Sequence, residues 1–177
     1  EFMLRHVKDG HVAVDVGANL GYYTVLLGDL VGPRGKVFAV EPNPRLVELC
    51  ENNIAVNGFW RHTHMVPLAA SDRTGATLRL QVRVADPKNG HLLPDDAPVE
   101  ATAGVLDLAV QTTRLDDLVP GPVDFIKIDV EGAEEQVWRG MQGLLGRSPH
   151  ATVLMEFNAQ RCLRPEQTLA EIADRFP

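Results

Sequence analysis

The chain has 177 residues, of which 45% are hydrophobic and 23% are charged, and its formal net charge is −7. This length and composition predict one soluble globular domain over residues 1–177, large enough to bury a core without crosslinks. The negative charge is not relieved by any cluster of Arg or Lys. It therefore argues against a nucleic acid or an anionic membrane surface as the main partner.

The two cysteines and the N-terminal sequence predict a cytoplasmic protein. Cys50 and Cys162 are far apart and form no metal-type pair, which is typical of a reducing compartment. Neither a signal peptide nor an apolar run of membrane length is recognisable. We interpret residues 1–2, which precede Met3, as a cloning remnant and leave them out of the fold prediction.

Buried strands and amphipathic helices alternate through the first part of the chain. The β-branched run at 12–16 predicts a buried strand, and apolar residues at helical spacing follow over 21–31. A second strand is predicted at 36–40, then a helix capped by Asn43, then a strand within 64–69. Strand, helix, strand, helix, strand is the order of a Rossmann-like, doubly wound parallel sheet in an α/β protein.

The middle of the chain departs from this pattern. Residues 77–84 alternate between apolar and polar, which predicts a half-exposed antiparallel strand with a partner around 110–113. Between them, 85–104 is rich in Pro, Gly and Asp, and we expect a mobile loop that covers the substrate pocket. The remaining elements are a strand at 123–130, a helix with Val137, Met141, Leu144 and Leu145 inward, a strand at 151–157, and a helix at 165–176 with Leu169, Ile172 and Phe176 on one side.

Three acidic residues follow predicted core strands: Asp15, Glu41 and Asp129. Ligands of open α/β sheets bind at the carboxyl ends of the strands, so these carboxylates are expected near a ligand. Gly17 and Gly21 follow the first strand and allow a sharp turn that brings backbone close to that ligand.

The glycine turn favours S-adenosylmethionine (SAM) over a dinucleotide. A Gly-x-Gly-x-x-Gly loop would need glycine where Asn19 and Tyr22 stand, and Asp15 would repel a pyrophosphate. SAM carries a sulfonium and an ammonium group that suit a nearby carboxylate, and Glu41 can accept hydrogen bonds from both ribose hydroxyls. An NAD-dependent oxidoreductase and a non-catalytic SAM-binding module remain alternatives.

Four segments resemble the FkbM-type methyltransferases, in the order expected for that family: 14–24, 40–44, 70–72 and 126–134. The resemblance implies a SAM-dependent O-methyltransferase acting on sugars, polyketides or other secondary metabolites, with a small-molecule hydroxyl as acceptor. It assigns the methionine part of SAM to Asp15, Gly17, Asn19 and Gly21, the ribose to Glu41, and the adenine to Ser71 and Asp72. The family's sheet continues into two further strands, which we expect this chain to lack.

An alcohol must lose a proton when its oxygen is methylated, so a positioned base is required. The candidates are the carboxylates after the fourth and fifth core strands: Asp129, Glu131 and Glu156. Glu134 and Glu135 are instead interpreted as first-turn residues favoured by the helix dipole. Lys127 is expected either to pair with a carboxylate or to contact substrate.

A metal-assisted route is disfavoured, and no metal site is predicted. The pairs 95–96 and 116–117 are both Asp-Asp and are typical of solvated turns. His62 and His64 would share one face of a strand, but they lack a third ligand.

Overall fold

The computed structural model describes residues 1–93 and 103–176. Helices and strands alternate over the first part of the chain, and consecutive strands form most of its middle part. In chain order they are α1 (Phe2–His6), β1 (Val12–Val16), α2 (Tyr22–Val31), β2 (Lys36–Val40), α3 (Pro44–Val56), β3 (Thr63–Val66), β4 (Ala69–Ala70), β5 (Thr77–Arg83), β6 (Asp86–Leu93), β7 (Val105–Thr113), α4 (Leu115–Leu118), β8 (Phe125–Ile128), α5 (Glu134–Arg139), α6 (Gln142–Arg147), β9 (Thr152–Met155) and α7 (Pro165–Arg175).

The central sheet has the strand order β3-β2-β1-β8-β9, and every neighbouring pair is parallel. The predicted Rossmann-like, doubly wound architecture is therefore confirmed. From β1 the chain moves outward to β2 on one side and later to β8 on the other, so the strand order reverses at β1. A crevice at the carboxyl ends of these strands is the expected ligand site of such a sheet.

Alternating side chains of β1 face opposite layers of the molecule. Val14 and Val16 pack in the cluster that contains Trp138 of α5 and Leu144 of α6, whereas Ala13 packs against α2. Asp15 faces the same side as Ala13. Its charged side chain therefore lies beneath the start of α2.

A second sheet, β4-β7-β5-β6, contains the inserted antiparallel hairpin. The predicted loop at 85–104 is wrong over Asp86–Leu93, which is strand β6, and residues 94–102 lie outside the described residues. Pro and Gly disfavour a strand locally, but pairing with β5, as in Gln81 with His91, overrides that preference. The partner strand β7 also begins earlier than predicted, at Val105.

The first and last helices of the chain differ in detail from what the sequence predicted. Phe2, which was left out of the fold prediction, begins α1, and its ring centroid lies 6.4 Å from that of Phe125. In α7, Leu169 is 45% exposed while Thr168 is buried. The helix contacts the core through Ile172, and the Trp138 indole donates a 3.2 Å hydrogen bond to Glu171. No helix within the described ranges is long and apolar enough to cross a membrane.

Candidate active site

The turn after β1 needs glycine for a steric reason. Gly17 has φ +75°, and a Cβ built there would lie 1.8 Å from the backbone oxygen of Asp129. The ends of β1 and β8 can therefore approach only if residue 17 has no side chain. Asn19 has φ +54°, a left-handed conformation that Asn tolerates better than most residues. Gly21 lies against Cys50 of α3, where a Cβ would be 2.9 Å from the sulfur.

Glu41 is fixed at the end of β2 by backbone hydrogen bonds. One carboxylate oxygen accepts from the Asn19 amide and the other from the Asn43 amide, each at 2.9 Å. The side chain is buried, and burial raises the pKa of Glu41 although these two amides lower it. Asn43 caps α3, as predicted, by accepting from the Arg45 amide at 3.1 Å. The predicted carboxylate is thus held rigidly beside the glycine turn.

Asp15 lies beneath the turn in a buried ion pair. The Lys127 ammonium is 3.2 Å from Asp15 Oδ1 and 3.6 Å from Asp129 Oδ2, and it donates to the Gly17 carbonyl at 2.8 Å. The Thr24 hydroxyl donates to Asp15 at 2.6 Å. Burial raises the pKa of Asp15, and the Lys127 charge opposes that shift. Of the two roles expected for Lys127, the structure shows pairing with carboxylates.

A cavity opens at the carboxyl ends of β1, β2 and β8, where the strand order predicts a ligand. It brings together five of the predicted site residues. These are Gly17, Asn19, Glu41, Asp129 and Glu131. Its remaining walls are Asn43, apolar residues of β1, β2, α3, β4, β5 and the turns that follow β2 and β8, and three residues of β6.

The other predicted site residues lie elsewhere. Asp15 is under the floor of this cavity, and Gly21 lines a groove between α2 and α3. Ser71 and Asp72 line an adjacent cavity, which shares Leu92 with the first. Glu156 is exposed; its amide continues the β8–β9 pairing with a 2.9 Å bond to Ile128, and its side chain does not line the cavity.

Strand β6 supplies cavity residues that the sequence analysis did not name, although it expected the segment 85–104 to cover the pocket. Lys88, Gly90 and Leu92 alternate along the strand and so share the face turned to the cavity. The Asn19 side-chain amide donates to the Lys88 carbonyl at 3.0 Å, which joins the glycine turn to the hairpin. Only strand periodicity at 88–92 could have indicated this, and the surrounding Pro, Asn and Gly masked it.

Glu134 and Glu135 lie in the first turn of α5, as predicted, but they are not solvated charges. Each is 1% exposed. Glu135 accepts from the amides of Leu163 and Arg164 at 2.8 and 3.0 Å, and Glu134 accepts from the Gly132 amide at 2.8 Å. Burial raises the pKa of Glu135, but the Arg164 amide and the Arg139 charge outweigh it, so the pKa is lowered overall.

Three of the residues considered for a metal have other partners. Asp116 accepts from the Leu144 amide at 2.6 Å, Asp117 accepts from the Thr74 hydroxyl at 2.5 Å, and His62 contacts the Gly28 carbonyl at 3.0 Å. The pair 95–96 lies outside the described residues. In the part of the chain that the structure describes, no three His, Cys, Asp or Glu side chains converge as metal ligands would.

The family is shown by comparison with known proteins. The model of the methyltransferase FkbM domain matches residues 15–175. A solved FkbM methyltransferase from Methylobacillus flagellatus KT superposes with a TM-score of 0.61 at 17% identity, covering 92% of this chain and 36% of that one. A putative rRNA methylase from Clostridium thermocellum gives a TM-score of 0.63 at 11% identity, covering 99% and 76%.

Two curated relatives are similar in sequence. A protein-L-isoaspartate O-methyltransferase from Methanopyrus kandleri is 31% identical over 117 residues, covering 64% of this chain and 42% of the relative. Methyltransferase sdnD from Sordaria araneosa is 26% identical over 155 residues, covering 72% and 59%. The chain therefore spans about half the length of these two relatives.

Fold and cavity together define a class I SAM-dependent methyltransferase domain. The chain belongs to the FkbM methyltransferase family. SAM is the methyl donor of this class, and the residues present fit it: a glycine turn with no side chain at Gly17, and the fixed carboxylate of Glu41 beside it. The family match leaves the oxidoreductase alternative without support.

Proposed function

We propose that this protein transfers the methyl group of SAM to a hydroxyl oxygen of a small molecule. One observation carries the proposal: a single cavity contains both the turn and carboxylate suited to a nucleoside (Gly17, Glu41) and two carboxylates suited to proton removal (Asp129, Glu131). A non-catalytic SAM-binding module would need the first pair alone.

The proposed cofactor roles follow from position. Both Glu41 oxygens keep a free lone pair after accepting one backbone hydrogen bond each, and these can receive the two ribose hydroxyls. Gly17 and Asn19 would flank the methionine part. Asp15 would support the turn from below through its pair with Lys127, and Gly21 would pack against α3. Ser71 and Asp72 would meet the adenine from the adjacent cavity.

SAM supplies, when bound, a methyl group activated by its sulfonium. The protein's task is to hold the acceptor oxygen in line, and such positioning can contribute up to about 7–11 kcal/mol. A base adds about 10²–10⁴-fold. The Lys127 ammonium, 3.6 Å from Asp129 Oδ2, would help to hold that carboxylate in place. Cavity position supports Asp129 and Glu131 as base more than Glu156.

The proposed class of methyl acceptor, a small molecule with a hydroxyl group, is supported by the net charge of the chain and by its family. A net charge of −7 disfavours nucleic acid as acceptor. The isoaspartate methyltransferase relative acts, by its name, on a protein carboxyl group, so an isoaspartyl peptide is the relevant competitor.

The proposal is tested by incubating the protein with methyl-labelled SAM and a panel of hydroxylated sugars and polyketides, with an isoaspartyl peptide and an RNA included. We expect label in a base-stable methyl ether of one hydroxylated compound, and little in an Asp129→Asn, Glu131→Gln double variant. Labelling of the peptide or the RNA alone would overturn the acceptor class. Equal labelling by the double variant would remove both carboxylates from the role of base.

A further inference from the structure

Glu131 has an unusual backbone conformation for its residue type. Its φ is +54°, in the left-handed region that glycine and Asn adopt readily and a Glu rarely does. Conformations of this kind persist only where neighbouring contacts impose them, and they concentrate at functional sites. Because Glu131 lines the cofactor cavity, the contacts that impose its conformation bear on the reaction.

Arg161 supplies such contacts from a distant part of the chain. Its Nη1 donates to the Glu131 carbonyl at 2.8 Å and lies 3.5 Å from Glu131 Oε2. Its aliphatic part lies over Gly132, where an added Cβ would be 2.8 Å from the Arg161 Cβ and Cδ. One side chain therefore holds both the backbone and the carboxylate of Glu131, and the glycine beside it leaves the space that this requires.

The segment that carries Arg161 is itself anchored. It connects β9 to α7, and buried Glu135 accepts hydrogen bonds from the Leu163 and Arg164 amides. The Arg161 amide closes a turn onto the Asn158 carbonyl at 3.0 Å. Helix α5 thus fixes the connection that brings Arg161 to the turn preceding the same helix. This gives Glu135 a structural reason for its burial.

We propose that Arg161 is a positioning residue that sets the direction of the Glu131 carboxylate at the cavity. The inference rests on the proposed function, in which Glu131 is a candidate base. The ion pair is not a major source of stability, because the two side chains are 48% and 37% exposed and water screens such pairs. Its effect is on orientation, which the hydrogen bond to the Glu131 carbonyl fixes.

The test compares Arg161→Ala, Arg161→Lys and the matched control Arg164→Ala. Arg164 lies on the same connection and pairs with Glu135 at 3.4 Å, away from Glu131. The direct readout is hydrogen exchange of the Gly132 amide, which is bonded to Glu134 in the native turn. We expect about tenfold faster exchange in Arg161→Ala, near-native exchange in Arg161→Lys, and no change in the control.

A second set of variants, made in Glu131→Gly, distinguishes a loss of orientation at residue 131 from a general loosening of the turn. In Glu131→Gly the left-handed conformation no longer needs support, so adding Arg161→Ala should change Gly132 exchange by less than about twofold. Methyl transfer to the acceptor found in the screen should fall at least about tenfold in Arg161→Ala, with SAM affinity nearly unchanged. Native Gly132 exchange in Arg161→Ala, or equal effects in the Arg164→Ala control, would overturn the inference. A failed acceptor screen would overturn the proposed function and leave the exchange result standing.

Discussion

The Lys127 ammonium lies 3.2 Å from Oδ1 of Asp15, and both side chains are buried. The same ammonium donates to the Gly17 carbonyl, so a strand-to-strand ion pair also supports the glycine turn. Lys127 belongs to β8 and Asp15 to the neighbouring β1, in direct register. The two strands that form the switch point are thereby joined below the cavity.

Lys127→Met should destabilise the fold. Asp15 would then be a buried charge without its partner, which typically costs about 3–5 kcal/mol. The free energy of unfolding, measured with urea near pH 7, gives the size of the effect. A Lys127→Met, Asp15→Asn variant is the control, and it should recover a large part of the loss. A loss below 1 kcal/mol in the single variant would mean that the pair is not buried as described.

The loss in Lys127→Met should depend on pH in a defined direction. Burial raises the pKa of Asp15 in the native protein, and removal of the Lys127 charge raises it further. A raised pKa stabilises the folded state below the unfolded value of about 3.9 and loses that contribution as pH rises through the folded pKa. The deficit should therefore be smallest near pH 4 and grow toward pH 7. A deficit independent of pH would exclude Asp15 as its origin.

Gly17→Ala should be far more damaging than an alanine at another left-handed glycine. A Cβ at 17 meets the Asp129 carbonyl, whereas Gly58 has φ +77° and nothing within 4 Å of its added Cβ. Gly58→Ala therefore reports the backbone penalty of about 1 kcal/mol alone. We expect Gly17→Ala to lose several kcal/mol more in urea unfolding. Equal losses would show that the close approach of β1 and β8 is not tight.

Asn19→Gly should weaken the connection between the glycine turn and β6. Glycine keeps the left-handed backbone but removes the side chain that donates to the Lys88 carbonyl. Amides of β6 should exchange faster than in wild type, while those of β8 stay protected. Hydrogen exchange followed by mass spectrometry resolves the two strands. Unchanged exchange in β6 would mean that β5 pairing alone holds the hairpin.

The sequence predicted the central sheet and the carboxylates at its strand ends because those features are local. Glu41 and Asp129 directly follow β2 and β8, and parallel strands bring such positions to one edge. Asp15 instead lies within β1, one residue before its end, and is buried below the cavity. The order of the four motifs along the chain indicated the FkbM family. Lys127 was found because a lysine inside a buried run needs a carboxylate.

The residues that sequence reasoning missed act through distant contacts. Strand β6 forms because β5 pairs with it, and its own composition favours a loop. Arg161 reaches Glu131 across 30 positions of the chain, with no pattern at either end to indicate the contact. In the sequence, nothing distinguishes Glu135 from any other carboxylate in the first turn of a helix. Its role is visible only in its hydrogen bonds to the connection between β9 and α7.

The SAM affinity of Glu41→Ala shows whether Glu41 binds the nucleoside, and calorimetry with SAM and its demethylated product measures it. The two proposed ribose hydrogen bonds would be charge-assisted and contribute about 1.5–3 kcal/mol each, so the dissociation constant should rise by at least tenfold. Because Glu41 also holds the Asn19 and Asn43 amides, Glu41→Gln is measured beside it and should retain part of the affinity. Wild-type affinity in Glu41→Ala, or binding of NADH in place of SAM, would contradict the account.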